Sequence, residues 1–147
     1  MASTRAGSSR TVPQLVAVVF GAVYLLVGLL GFTVSGGHPA AGHMGGLLLG
    51  IFMVNTLHNV VHLLIGAALL VAGLRGARPA ALADTTVGVA YLVVFLYGLV
   101  VPASSAANVV ALNAADDVLH LASAVLLGAV GISGLRRRAA VTGRAGI

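Results

Sequence analysis

The sequence predicts an all-α integral membrane protein, a four-helix bundle made of two parallel helical-hairpin repeats. Three observations carry this. The 147 residues are 59% hydrophobic and only 7% charged, with a mean hydropathy of +1.09, far from the roughly 25% charged residues of soluble domains. Four apolar runs each reach the roughly 20 residues that a helix needs to cross a bilayer. A polar stripe in the second run, Asn55-Thr-Leu-His58-Asn59-Val-Val-His62-Leu63, returns in the fourth as Asn113-Ala-Ala-Asp116-Asp117-Val-Leu-His120-Leu121. The offset is 58 throughout: 55 to 113, 58 to 116, 59 to 117 and 62 to 120.

The segment before the first run, residues 1–12, is rich in Ser, Arg and Gly and reads as a disordered tail. The first span is expected at about 15–34, with Thr11 as cap and Pro13 in the first turn. It is too long for the apolar core of a signal peptide and no small-x-small cleavage site follows, so an uncleaved span is the favoured reading. The second span is expected at about 46–74. The third is expected at about 81–101, capped by Asp84 and stopped by Pro102. The fourth is expected at about 108–135, capped from Ser104, Ser105 and Asn108. The membrane domain is thus 13–136, and 137–147 forms a basic tail, disordered from Ala139. Gly42, Gly46 and Gly50, and again Gly128, Gly131 and Gly134, have the spacing of close helix contacts, although Gly is frequent in membrane helices generally. Between the first and third spans only Tyr24 and Gly28 against Tyr91 and Gly98 suggest a likeness.

Arginine supplies every basic side chain. Arg5 and Arg10 precede the first span, Arg75 and Arg78 separate the second and third, and Arg136, Arg137, Arg138 and Arg144 follow the fourth. The other two connections have none, so both termini and the middle loop are expected in the cytoplasm. The two halves then run parallel, and the stripes lie at matched depth, outward of the bilayer centre. The net charge of +5 acts as a topology signal and does not point to nucleic acid. The partner it implies is the lipid bilayer. There is no cysteine, so disulfides and thiolate sites are excluded. No nucleophilic triad or phosphate-binding loop is present and the connections are short, so no soluble catalytic activity is expected.

On a helix each stripe spans an arc of roughly 100°, and polar groups in lipid turn toward the bundle interior. The stripes should therefore face each other. His58 and His62 are spaced i, i+4, as are Asp116 and His120. Together they offer three imidazoles and a carboxylate to one divalent transition metal, with Zn²⁺, Fe²⁺ or Mn²⁺ suited to nitrogen and oxygen donors. Asn55, Asn59, Asn113 and Asp117 could then orient the ligands. A second reading is haem b between His62 and His120, although Asn and Asp suit a porphyrin face poorly. A third is a proton or small-solute path. The plainest is a hydrogen-bonded network that fixes the register of the bundle, in a small protein acting as an accessory or oligomer-forming subunit of a homo-oligomer or larger membrane complex. His38, His43 and Met44 in the first outer connection could collect a metal ion at the mouth of the bundle, but read more simply as solvated loop. Tyr24, Tyr91 and Tyr97 read as packing aromatics.

The residues Gln14-Leu-Val, Gly28-Leu-Leu-Gly31-Phe32, Asn55-x-x-His58-Asn59-x-x-His62-Leu63 and Asn113-x-x-Asp116-Asp117-x-Leu119-His120 carry a resemblance. The chain resembles a family of small four-helix membrane proteins, common in actinobacteria and catalogued as a domain of unknown function. The likeness covers about Gln14 to Leu135. It implies four spans in a bacterial plasma membrane and no particular activity. Where that family often has Asp-Asn in the second stripe, this chain has Asp116-Asp117.

Overall fold

A computed structural model of the chain describes residues 9–144. The chain order is α1 (Val12–Ser35), β1 (Gly46–Leu48), β2 (Phe52–Val54), α2 (Thr56–Arg75), α3 (Ala77–Val100) and α4 (Ala114–Arg144). All four helices are long and apolar enough to cross a membrane. α1 packs on α2 and α3 on α4 as antiparallel hairpins, and the two hairpins lie side by side in the same direction. Large apolar side chains such as Val19, Leu26, Leu64, Leu92 and Leu126 face outward, as a lipid-facing surface requires. The buried core is thin and built of Ala17, Leu69, Ala80, Val87 and Leu127, with Tyr24 and Tyr91.

The start of α1 is as expected. The Gln14 side-chain oxygen accepts hydrogen bonds from the Thr11 backbone N–H and hydroxyl at 3.2 Å each, and Pro13 sits in the first turn. The second span differs. Residues 46–54 are not helical but fold into a two-stranded antiparallel hairpin, Gly46 opposite Val54 and Leu48 opposite Phe52. Its turn places Leu49 and Gly50 at φ +55° and +78°. Four glycines between 42 and 50 weaken helix formation, and Asn55 then caps a span of ordinary length. Gly42, Gly46 and Gly50 are accordingly loop and strand residues. Of these, Gly46 abuts the Val34 carbonyl at the end of α1.

Only Gly76 separates α2 from α3, at φ +142°, a conformation that glycine adopts without strain. α3 therefore starts four residues before the expected Ala81. Asp84 is not its cap but a fully buried side chain in its second turn. α4 starts at Ala114, capped by Asn113 instead of Ser104, Ser105 or Asn108. Asn108 instead ties the connection together, donating to Ala103 and Leu112 carbonyls and accepting from the Leu112 N–H. α4 continues to Arg144, beyond the expected end at Leu135, so the first part of the basic tail is helical. The remainder of the expected disordered tails, residues 1–8 and 145–147, lies outside the described residues.

Glycines set the closeness of each hairpin. A Cβ on Gly66 would meet the Leu25 nitrogen at 2.7 Å and the Gly21 carbonyl at 2.8 Å; one on Gly88 would meet the Gly128 nitrogen at 2.5 Å. Gly31 abuts the Asn59 side chain, and Gly98 abuts Asp117 in the same way. These pairings extend the duplication to α1 and α3 at an offset of 67: Gly21 to Gly88, Tyr24 to Tyr91 and Gly31 to Gly98. The counterpart of Gly98 is thus Gly31 and not Gly28. The two offsets, 67 and 58, differ by nine because the stretch from Gly31 to Asn55 is that much longer than the matching stretch from Gly98 to Asn113.

Gly66→Ala is expected to destabilise the bundle by about 1–3 kcal/mol, because backbone atoms cannot give way. Gly128→Ala, whose Cβ would meet nothing within 4 Å, should be neutral or stabilising by up to about 1 kcal/mol from helix propensity. Thermal unfolding of the two variants in detergent checks the contrast.

Candidate functional site

The site begins at the caps of α2 and α4. The Asn55 side-chain oxygen accepts from the His58 N–H at 2.9 Å, and its amide donates to the carbonyls of Gly42 and Val109, both at 2.9 Å. The Asn113 oxygen accepts from the N–H groups of Ala115 and Asp116 at 3.0 Å each, and its amide donates to the Ile51 carbonyl at 2.8 Å. Ile51 and Val109 are themselves 58 apart. Each cap therefore reaches across and holds the connection of the other half, which is why one residue type recurs at both positions. A bond from the Gly42 N–H to the Val109 carbonyl at 2.8 Å closes the same seam.

Below the caps three buried imidazoles meet. His58 Nδ1 lies 2.9 Å from the Val110 carbonyl, an acceptor only, so that nitrogen carries the proton and Nε2 keeps its lone pair. His62 stacks on Tyr24 with ring centres 5.5 Å apart, and His120 stacks on Tyr91 at 5.0 Å. The two tyrosine rings are themselves 5.3 Å apart. This tyrosine–histidine pair, repeated about a pseudo-two-fold axis, places His62 and His120 on either side of the seam, their ring centres 6.3 Å apart. His58 lies 4.5 Å from His62 and 5.9 Å from His120. One ring nitrogen from each of the three histidines falls within 4.8 Å of the others.

Asp116 is buried, but its carboxylate accepts from the Asn113 N–H at 3.1 Å. It stands outside the imidazole trio, and among the described residues no carboxylate joins that trio. Asn59 is fully buried and donates to the Ser35 hydroxyl at 3.0 Å. Asp117 borders a cavity of about 180 Å³ with Tyr97, Asn108 and Asn113. Neither makes a hydrogen bond to an imidazole among the described residues. The His58 ring is instead met by backbone groups of Val110 and Met53, and the other two rings by the tyrosines. His38, His43 and Met44 are exposed in the first connection, and the Tyr97 hydroxyl donates to the Ala107 carbonyl.

Several buried polar atoms have no hydrogen-bond partner among the described residues. They include His62 Nδ1 and His120 Nδ1, together with both Asp84 oxygens, whereas the Tyr24 hydroxyl faces those of Tyr91 and Ser123. An unmade hydrogen bond in an apolar interior costs about 1–3 kcal/mol, so the two imidazole nitrogens in one cluster call for a ligand or a function. The role of Tyr24 and Tyr91 was within reach of the sequence. The sequence pairs them, 67 apart, but setting Gly28 against Gly98, 70 apart, conceals the common offset.

The family described as a domain of unknown function (DUF4383) matches residues 14–133. The chain belongs to that family. No curated protein and no solved structure matches it. The matched region takes in α1, α2, α3 and most of α4, and with them both caps and all three clustered histidines. The family's description assigns no activity.

Asn55 is fully buried and makes three hydrogen bonds across three segments, whereas Asn113 is only half-buried. Asn55→Ala should therefore cost about 2–4 kcal/mol, from a lost cap plus orphaned buried groups, and Asn113→Ala about half as much. Unfolding in a mild detergent measured by circular dichroism would show the order; equal losses would contradict it.

Proposed function

We propose that this chain is a small multi-pass membrane protein that binds one divalent transition metal between its two halves, through His58, His62 and His120. The observation that carries this reading is the convergence of three buried imidazoles from two helices, with ligand nitrogens within 4.8 Å of one another. Ligand nitrogens around a tetrahedral ion are about 3.4 Å apart, given metal–nitrogen distances of about 2.0–2.1 Å. Small rotations of the rings close that difference. His58 is held with Nε2 available by the Val110 carbonyl, the support that metal-bound histidines receive in known sites. An all-nitrogen donor set favours Zn²⁺ or Fe²⁺ over harder ions. Asp116, one turn from His120 on the same face of α4, is the carboxylate available to complete the shell and offset the charge. On this reading the arginine-bearing ends of the helices face the cytoplasm of a bacterial cell, and the metal lies toward the outer side of the plasma membrane.

Two other readings are less well supported. Haem b held by His62 and His120 competes for space with Tyr24, Tyr91 and His58, whose rings crowd those imidazoles. A purely structural network leaves the Nδ1 atoms of His62 and His120 without partners.

Elemental analysis of the purified protein should find about one transition-metal ion per chain. His62→Gln and His120→Gln should lower the occupancy at least about tenfold, the size of effect seen even for residues behind the ligands. A Soret band would replace this reading with haem. Protein that stays metal-free after incubation with zinc, and melts at the same temperature with and without chelator, would sink the metal reading.

A further inference from the structure

At the opposite end of the bundle from the histidines lies a cavity of about 400 Å³, within the range of about 300–1,000 Å³ typical of small-ligand pockets. Its walls come from both halves: Pro13 at the start of α1, Ala77 at the start of α3, and Ala129, Val130, Ser133 and Arg137 along the end of α4. The lining is chiefly apolar and small, with one guanidinium and hydroxyls at the rim. The duplication sets this end of α4 apart from the matching end of α2. At the offset of 58, α2 (Thr56–Arg75) corresponds to residues 114–133, so α4 carries an extension to Arg144 that α2 lacks. Arg137 stands on that extension, and Gly134 on it lets the Pro13 ring approach; a Cβ there would meet the ring at 2.7 Å. The extension therefore adds the close contact at Gly134 and the charge at Arg137.

From this we infer that the cavity is a binding site for one anionic phospholipid, with an acyl chain along the Pro13–Val130 wall and the phosphate at Arg137. Charge complementarity selects this occupant. The slot opens beside a helix end that bears Arg136 and Arg137, both exposed, and basic pockets between membrane helices on the arginine-rich side hold acidic headgroups. A zwitterionic lipid would fit the apolar wall but gains less from the guanidinium. The site shares no residue with the histidine cluster and does not depend on a metal there.

The test uses the full chain in detergent, titrated with dioleoylphosphatidylglycerol or dioleoylphosphatidylcholine and followed by native mass spectrometry and thermal unfolding. The wild type should keep one phosphatidylglycerol through desolvation, bind it about fivefold better than phosphatidylcholine, the preference expected of one arginine near the membrane surface, and melt at a higher temperature with it. Ala129→Trp, which fills the slot, should lose the retained lipid and the thermal shift. Arg137→Gln, an exposed change that leaves the fold intact, should keep lipid but lose the preference for the anionic headgroup, and it decides the matter if Ala129→Trp fails to fold. Equal retention of the two lipids by the wild type, an unchanged preference in Arg137→Gln, or the same retained lipid in a folded Ala129→Trp would overturn the assignment.

Discussion

A polar side chain in hydrocarbon must find its partner inside the protein, and in this bundle that demand is met across the seam between two halves. Asn55 caps its own helix and donates to Val109 of the other half; Asn113 caps its own helix and donates to Ile51 in return. Neither hairpin satisfies its own caps and connections alone. The crossed amides fix the register of one hairpin against the other, and that register brings His58 and His62 to His120. Without them the three imidazoles would have no reason to share one plane of the membrane.

The repeat is symmetric in its supports and asymmetric in its centre. Tyr24 on His62 and Tyr91 on His120 obey the pseudo-two-fold relation, as do Gly31 on Asn59 and Gly98 on Asp117. His58 breaks it, because its counterpart is Asp116, which turns to the Asn113 backbone. A symmetric ancestor would present two or four imidazoles about the axis. Three imidazoles cannot be placed symmetrically about that axis, so a single ion held by them, as proposed, would lie off it.

Much of this was legible in the sequence, and what was not has identifiable physical causes. The four spans and paired hairpins follow from length and hydropathy, and the facing stripes from helical period. The second span is shorter than apolar content predicts, because that content does not distinguish a glycine-rich hairpin from a helix; four glycines between 42 and 50 decide it. Asp84 looked like a cap because helix starts are inferred from local chemistry, while the single glycine at 76 moved the start of α3 upstream. Asp116 was grouped with the histidines by spacing alone, yet spacing places a residue on a face and does not aim its carboxylate. Tyr24 matches Tyr91 in the sequence, but an unequal connection shifts α1 and α3 to their own offset of 67 and conceals the match of Gly31 to Gly98.

The claim at the centre of the account is that His58, His62 and His120 close on one metal ion. X-ray absorption at the zinc edge of the zinc-loaded protein in detergent tests it most directly. The account predicts about three nitrogen ligands at about 2.0–2.1 Å, with the outer-shell scattering of imidazole rings. A shell of oxygen alone, without imidazole scattering, would contradict it.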